Sequence, residues 1–313
     1  MSEIILMGEP MAMFKADYAG KLEEIDKFTR SLAGAEVNVA IGLKRLGFEV
    51  AYVTKLGADP FGKYIKNTLN AEGINTNYIA HDPEHPTGFQ LKNKTDAGDP
   101  EVVYFRKGSA ASHMGISEID RIDMRNVRSV HITGIPPALS DSCRAATFKL
   151  IHSAREMGLP VTFDPNLRPV LWKSRDEMIS VINELASMCD VILPGIKEGQ
   201  TLTGFNDAQS IAEFYLELGV NTVVIKNGAE GAYVRTGTEA FAVPGFKVDT
   251  VVDTVGAGDG FAVGVISGLL DKLPLRDAVI RGNVIGAMQV MVPGDNEGLP
   301  NREQLRQFLE QRS

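Results

Sequence analysis

The chain has 313 residues, 44% of them hydrophobic, and a formal net charge of −8. This length allows one large α/β domain or two small ones, each with a buried core. The acidic balance, with no Lys/Arg-rich run and no basic stripe interleaved with aromatic residues, argues against a nucleic-acid partner. Apolar runs such as 222–225 and 263–266 are far too short to span a membrane, so no membrane partner is expected.

The cysteines and the N-terminus indicate a cytoplasmic protein. Cys143 and Cys189 stand alone, without metal-binding spacing, and are expected to be reduced thiols. Residues 1–14 carry acids and lack the basic start of a signal peptide. The five histidines are scattered and include no HExxH motif, so we interpret them as structural residues rather than metal ligands.

Short apolar strands alternate with amphipathic helices along the chain. In the first part, the predicted elements are strand 3–7, helix 37–46, strand 50–55 and helix 61–72. The second part contains strand 129–133, helix 140–157, strand 160–164, helix 174–187, strand 190–193, helix 208–218, strand 222–226 and helix 260–270. This alternation predicts a mostly parallel sheet with helices on both faces, and ligands at the carboxyl ends of its strands.

Two segments, 11–32 and 87–106, break this alternation. Both show extended patterns without helical partners. We therefore predict that they form a small β lid over the ligand edge of the sheet, within one domain that spans residues 1–313.

Two familiar nucleotide-binding motifs are excluded. The stretch 57–64 nearly spells a P-loop, but Pro60 interrupts it and Tyr64 stands where the hydroxyl residue that binds Mg²⁺ is required. No GxGxxG follows the first strand, which leaves a dinucleotide enzyme without its fingerprint.

The segment 253–259 (DTVGAGD) has the composition of a phosphate-binding turn. Small residues let backbone N–H groups converge, and the helix that follows adds the positive end of its dipole. Asp259 would repel phosphate, so it is better suited to face the attacking hydroxyl of a second substrate. Taken alone, the segment also fits a helix N-cap after a flexible turn.

A second small-residue turn, 33–40 (AGAEVNVA), enters a helix near the N-terminus and is followed by Gly47 and Gly57. Together with 253–259, it resembles the two signature segments of the ribokinase-like (phosphofructokinase-B) sugar kinases. The resemblance covers essentially the whole chain. It implies a ribokinase-like three-layer α/β/α domain with a small β lid, and the use of ATP and Mg²⁺. It leaves open whether a monovalent cation takes part.

The residues that bind the sugar acceptor are expected on the lid and on the first helix. The segment 104–112 (YFRKGSAAS) is similar to the one found in the 2-keto-3-deoxygluconate kinases of this family. In a strand, Tyr104 and Arg106 share a face, with Phe105 turned the other way; without the resemblance, an ordinary exposed strand pair fits equally. The substrate contacts that the resemblance implies are Gly34, Asn38, Phe89, Tyr104, Arg106, Arg168, Asp259 and Asp295.

The resemblance places the nucleotide site mainly in the C-terminal half. The implied contacts are Asn166, Arg168, Lys226, Gly228, Gly231, Gly256, Ala257, Gly258 and Asn283, with Ala287 beside the adenine. Family members commonly carry Asn-x-x-Glu where this chain has Gly195 and Glu198. Glu198 is therefore the expected metal contact, acting through water, and position 195 is assigned no role.

These features predict an ATP-dependent kinase that phosphorylates the terminal hydroxyl of a keto-deoxy sugar acid. Asp259 is expected to accept the hydroxyl proton while the N–H groups of residues 256–258 stabilise the developing negative charge. Arg106 and Arg168 imply a carboxylate on the acceptor, because a buried guanidinium left unpaired is costly. The alternatives are a fructokinase or another neutral-sugar kinase and, from a different class, a non-catalytic sugar-binding regulator. The gluconate and galactonate series both stay open.

The lid segments also predict a homodimer or a higher homo-oligomer. Residues 102–105 are all apolar, so both faces of this strand carry apolar side chains. The segments 11–14, 28–32 and 89–91 add further apolar side chains. A thin sheet covered on one face buries only half of them, so a second lid is expected to cover the rest. The alternative is that this surface closes down on the substrate.

Overall fold

The computed structural model describes residues 2–95 and 100–311, in which strands and helices form two sheets and two helical layers. The strands are β1 (Ile4–Met7), β2 (Met11–Ala19), β3 (Phe28–Ala33), β4 (Val50–Gly57), β5 (Ile79–Asp82), β6 (Phe89–Lys94), β7 (Val102–Phe105), β8 (Ser129–Thr133), β9 (Val161–Asp164), β10 (Val191–Ile192), β11 (Thr222–Lys226), β12 (Gly231–Thr236) and β13 (Ala240–Pro244). The α-helices are α1 (Ala35–Arg45), α2 (Pro60–Ala71), α3 (Ile116–Ile119), α4 (Pro136–Leu139), α5 (Asp141–Glu156), α6 (Arg175–Ser187), α7 (Ile196–Thr203), α8 (Ala208–Glu217), α9 (Ala257–Leu270), α10 (Leu275–Val290) and α11 (Arg302–Glu310).

The large sheet has nine strands in the order β13-β12-β11-β10-β9-β8-β1-β4-β5. From β11 to β5 all neighbours are parallel, and β12 and β13 add an antiparallel hairpin at one edge. Successive residues of β1 enter different cores: Ile4 packs on the side of α1, α9 and α10, and Ile5 on the side of α5 and α6. The predicted three-layer arrangement, with a mostly parallel sheet, is confirmed.

Helix α9 differs from its predicted extent. It begins at Ala257 rather than Gly260, because Gly256 adopts a left-handed conformation (φ 78°) and acts as the N-cap. Asp259 therefore lies inside the first helical turn, not at the end of the loop. No helix in the described part of the chain is both long and apolar enough to cross a membrane.

Close packing fixes the position of α9. A Cβ on Gly264 would lie 2.4 Å from the Cα of Gly282 in α10, and one on Gly42 of α1 would lie 2.5 Å from a methyl of Val263. Because these contacts leave no room for side chains, α9 is held between its two neighbours. Its N-terminus is thereby fixed at the edge of the large sheet.

The two segments that break the α/β alternation form a separate four-stranded sheet in the order β3-β2-β6-β7. Residues 96–99, which belong to the second predicted lid segment, lie outside the described part of the chain. Gln90 pairs with Tyr104, and Phe89 with Phe105. Neighbouring positions on a strand face opposite ways, so these two pairs lie on opposite faces of the small sheet.

Candidate active site

A cavity of about 450 Å³ opens at the carboxyl ends of the parallel strands, underneath the small sheet. Glu9 follows β1, Ile135 follows β8, Asp164 ends β9 and Lys226 ends β11, and all four line this space. Strand β4 pairs with one side of β1, and β8, which comes later in the sequence, pairs with the other side. Such a reversal of strand order is where open α/β sheets bind ligands. We call this space the polar cavity.

A second space of about 340 Å³, the apolar cavity, lies on the other side of the loop before α9. Its walls include the apolar side chains of Phe246, Val248 and Phe261. The predicted nucleotide residues that line it are Lys226, Gly228, Gly231, Ala257, Gly258, Asn283 and Ala287. Three residues, Lys226, Thr254 and Gly258, line both cavities and mark where the two meet. Asn166, Arg168 and Gly256, also predicted for the nucleotide, line the polar cavity instead.

Asp259 lies in the polar cavity and is nearly buried, with 9% of its surface exposed. The side-chain amide of Asn38 donates a hydrogen bond of 2.8 Å to its Oδ2. Burial, together with the negative charge of Asp164, raises the pKa of Asp259 to about 7, although Asn38, Lys226 and Arg168 oppose the shift. A carboxyl that titrates near neutrality is suited to general-base work.

The N-terminus of α9 carries backbone donors where the sequence predicts an anion site. The N–H of Ala257 donates to the carbonyl of Thr254 at 3.4 Å, whereas those of Gly258 and Asp259, in the first helical turn, have no helical carbonyl to reach, and the helix dipole adds positive potential. The ammonium group of Lys226 lies nearby, 3.7 Å from where a Cβ on Gly258 would be. Burial opposes its charge, but Asp164 at 2.6 Å and Glu198 raise the pKa of Lys226. A protonated amine and a helix N-terminus therefore converge on one point between the cavities.

Arg106 does not have the free guanidinium that the predicted contact with an acceptor carboxylate requires. It lines the polar cavity but is only 8% exposed, and its Nε donates a 2.7 Å hydrogen bond to Glu9. Ser109 donates to the other carboxylate oxygen of Glu9, which is itself buried. The inference that a neutral sugar would leave Arg106 unpaired is therefore wrong, because Glu9 already neutralises it.

Arg168 has no such partner. Its Nη1 donates to the carbonyl of its neighbour Leu167 at 2.9 Å, and no carboxylate in the described residues forms an ion pair with it. The other basic residues of the polar cavity, Lys92, Arg106 and Lys226, are each paired with at least one acid. In the described part of the chain, Arg168 is thus the one basic side chain of the polar cavity left to receive an external carboxylate.

The small sheet contributes Gln90, Lys92 and Tyr104 to the polar cavity. The prediction that Phe89 lines it is wrong, because Phe89 lies on the opposite face, where it stacks on Phe105 with ring centroids 4.6 Å apart. The polar residues that alternate with Phe89 along β6 are the ones that reach the cavity. That alternation was the available sequence signal for Gln90 and Lys92.

On the N-terminal side, Gly34 and Asn38 line the polar cavity as predicted. Gly34 has a φ of 137°, and a Cβ there would lie 2.9 Å from the carbonyl oxygen of Glu9. Glu36, which sequence reasoning missed, is fully buried; Thr133 donates to its Oε1, and its Oε2 has no partner in the described residues. Burial raises the pKa of Glu36 to about 7. A single Glu at the start of a helix gives no sequence signal that its carboxyl will be buried beside a cavity.

Glu198 and Asn166 are the residues that fit a magnesium ion. Each Glu198 oxygen accepts one backbone N–H, from Leu167 at 2.8 Å and from Gly195 at 2.7 Å, and keeps a further lone pair. The Oδ1 of Asn166 is buried without a partner in the described residues. Both residues offer oxygen ligands, which Mg²⁺ prefers. The described residues contain no group of three or more His, Cys, Asp or Glu side chains that could hold a metal by themselves. Glu198 and Asn166 therefore suit an ion carried mainly by a nucleotide and water.

The chain is similar to known carbohydrate kinases over nearly its whole length. The chain is 49% identical over 308 residues to the 2-dehydro-3-deoxygluconokinase of Bacillus subtilis (strain 168), covering 98% of this chain and 95% of the relative. It is 33% identical over 315 residues to the 2-dehydro-3-deoxygluconokinase of Thermoproteus tenax, covering 99% and 94%. The crystal structure of a PfkB protein from Polaromonas sp. JS666 superposes with a TM-score of 0.90 at 45% identity, covering 98% of this chain and 99% of that one. The model of the pfkB family carbohydrate kinases matches residues 1–302, and the chain belongs to that family.

Proposed function

We propose that this carbohydrate kinase transfers the γ-phosphoryl group of ATP to the terminal hydroxyl of 2-keto-3-deoxygluconate, also called 2-dehydro-3-deoxygluconate, or of its galactonate-derived isomer. The observation that carries the proposal is Arg168, a guanidinium without an acidic partner in a cavity whose other cations are paired. A planar guanidinium binds a carboxylate through two parallel hydrogen bonds. The two relatives named 2-dehydro-3-deoxygluconokinase support the same acceptor.

The apolar cavity is the proposed site of the adenine and ribose. From there the phosphates extend to the N-terminus of α9, where the N–H groups of Gly258 and Asp259 and the ammonium of Lys226 bind anions. Mg²⁺ supplies charge neutralisation on the phosphates when it is bound. Glu198 and Asn166, which line the polar cavity, would hold the ion through its water ligands.

The acceptor lies in the polar cavity with its carboxylate on Arg168 and its terminal hydroxyl beside Asp259. The carboxylate of Asp259 accepts the hydroxyl proton as the hydroxyl oxygen bonds to the γ-phosphorus. The bond between that phosphorus and the β–γ bridging oxygen breaks, and ADP leaves. The N–H groups at the start of α9 stabilise the charge on the transferred group. We also propose that the small sheet acts as a lid that keeps water out of this reaction.

A substrate panel and one pair of variants test this assignment. Wild-type kcat/KM should be higher for 2-keto-3-deoxygluconate than for fructose or ribose, measured by ADP release. Arg168→Met should raise KM for the sugar acid by about tenfold or more, because a charged hydrogen bond worth ~1.5–3 kcal/mol is lost.

Arg106→Met is the matched comparison. It leaves Glu9 buried without its cation, so its first effect should be on the melting temperature rather than on acid specificity.

Phosphorylation of fructose by the wild-type enzyme with a kcat/KM equal to or above that of every sugar acid would replace the proposal with a neutral-sugar kinase.

A further inference from the structure

Lys92 joins the small sheet to the two loops that meet at the start of α9. It lies on β6, is only 3% exposed, and lines the polar cavity. Its ammonium nitrogen is 3.1 Å from Oδ2 of Asp253 and 3.2 Å from Oδ1 of Asp295. No other basic residue in the described chain forms an ion pair with either acid. One cation therefore neutralises two buried or half-buried carboxylates.

The two acids belong to the loops that shape the anion site. Oδ1 of Asp253 accepts the N–H of Val255 at 3.0 Å, which closes the turn leading into Gly256. The carbonyl oxygen of Asp295 lies 2.2 Å from where a Cβ on Gly256 would be, so its loop packs directly against the N-cap of α9. Oδ2 of Asp253 also accepts the N–H of Gly294 at 3.3 Å. The conformation of the N-cap thus depends on both loops staying together.

We infer that Lys92 is a positioning residue for phosphoryl transfer, acting through Asp253 and Asp295 on the N-cap of α9. Two carboxylates facing each other in a desolvated site repel, and removing the shared cation leaves that repulsion uncompensated. Without Lys92 the two loops would separate, and the N–H groups of the first turn would no longer point at the phosphates. The small sheet thereby contributes to phosphate binding as well as to the acceptor side. This inference rests on the proposed use of the α9 N-terminus for the nucleotide phosphates.

Three variants separate this role from a structural one. Lys92→Met removes the charge, and Lys92→Arg keeps it. Lys55→Met is the control, because Lys55 is also largely buried and paired, with Glu118 at 3.3 Å and the carbonyl of His113 at 2.8 Å, but lines neither cavity. Melting temperatures establish that each variant is folded before its kinetics are compared.

The readouts are chosen to be independent of the acceptor. They are the slow hydrolysis of ATP without sugar and the affinity for ADP with Mg²⁺ by calorimetry. Lys92→Met should lower both by about 10–100-fold, as expected when a buried ion pair is broken beside a binding site. Lys92→Arg keeps the charge but places a larger, planar head group in a site that is only 3% exposed, so it should lose clearly less than Lys92→Met, and Lys55→Met should stay within about threefold of wild type. Ammonium chloride, but not sodium chloride at equal ionic strength, should partly restore Lys92→Met, because an ammonium ion has the charge and the hydrogen-bond donors of the lost head group, which lies between the two acids.

Two results would overturn the inference. If Lys92→Met raises only KM for the sugar acid and leaves ATP hydrolysis and ADP affinity unchanged, Lys92 serves the acceptor directly. If Lys92→Arg loses as much as Lys92→Met, or ammonium gives no gain over sodium, the charge is not what positions the loops. Failure of the proposed substrate appears separately, in the wild-type panel, and leaves both readouts valid.

Discussion

Asp259 is held in an environment that keeps its carboxyl poised between two protonation states. Burial favours the neutral form, whereas the amide of Asn38 and the cations Lys226 and Arg168 favour the charged form. The balance lies at a pKa of about 7. A base with this pKa is deprotonated often enough to act at neutral pH and still has strong affinity for a proton.

Substitution of Asp259 by Asn keeps the shape of the side chain and removes the base. We expect kcat to fall by roughly 10²–10⁴, with the affinity for ATP changed little. Steady-state kinetics and ATP titration measure the two quantities. A variant that keeps more than a third of wild-type kcat would contradict the role of Asp259.

The pH dependence of kcat/KM reports the same group. Because the carboxylate is the active form, the rate should fall on the acid side with an apparent pKa of about 7. Asn38→Ala removes a hydrogen bond that stabilises the charged form, so the acid limb should move upward, by about 0.5–1 pH unit. An acid limb that stays in place in Asn38→Ala would mean that another group controls it.

At the residue scale, the sequence predicted what is encoded locally. The turn 253–259 and the first turn of α1 carry their chemistry within a few residues, and the residues predicted from them line the two cavities. Arg106 could not be assigned in the same way, because its partner Glu9 is 97 positions away in sequence and pairs with it only after folding. The prediction that Phe89 lines the cavity was wrong because the register of the sheet decides which face of a strand turns toward the cavity.

The N-terminus of α9 depends on a single left-handed residue. Gly256 has a φ of 78°, and its Cα faces the carbonyl of Asp295 so closely that a Cβ would lie 2.2 Å from that oxygen. Gly204, at the end of α7, has nearly the same φ of 79°, but a Cβ there would meet nothing within 4 Å. The two glycines therefore separate backbone strain from the loss of loop packing.

Gly204→Ala should cost about 1–2 kcal/mol of folding free energy, which is the strain of a left-handed alanine, with kcat unchanged. Gly256→Ala carries the same strain and also displaces Asp295, so it should cost more and weaken binding of ADP with Mg²⁺. Thermal unfolding and calorimetry on both variants measure these effects. Equal losses of stability and unchanged ADP binding in Gly256→Ala would show that the contact with Asp295 is unimportant.

Elements formed by a local sequence pattern were predicted accurately, and those that depend on packing between distant segments were not. Strands β8 and β11 coincide with their predicted ranges because buried apolar runs between turns define them. The first turn of α9 was missed because Gly256 and Gly258 are poor helix formers, which makes the turn look like loop. Packing of α9 against α1 and α10 overrides that preference, and such packing is not visible in a local pattern.

For the whole molecule, the family, the enzyme class and the α/β fold predicted from the sequence are confirmed. The repeated strand–helix units define a parallel sheet because connections of that length bring the next strand alongside in the same direction. The internal order of the small sheet was not accessible. Its central strands β2 and β6 pair in parallel although they are far apart in sequence, so no hairpin marks their contact.

The outer face of the small sheet, turned away from the polar cavity, carries apolar side chains that include Phe14, Phe89 and Phe105. Part of this face is covered within the chain, since Phe61 of α2 packs on Phe14 and Phe89 with ring centroids 5.5 and 5.4 Å apart. Phe105, on the edge strand β7, remains 48% exposed. Because this face points away from the cavity, closure over a substrate would not bury it.

We therefore predict a homodimer in which two small sheets cover each other's outer faces across a two-fold axis. Light scattering at micromolar concentration should give about twice the 33.9 kDa of one chain. Phe105→Asp should reduce the mass to that of a single chain, because a charge placed in an apolar contact has no partner there. Ile116→Asp, at another apolar side chain with similar exposure (46%) but on α3, should leave the dimer intact. A wild-type mass near that of one chain would instead mean that α2 alone covers this face and that Phe105 stays in contact with solvent.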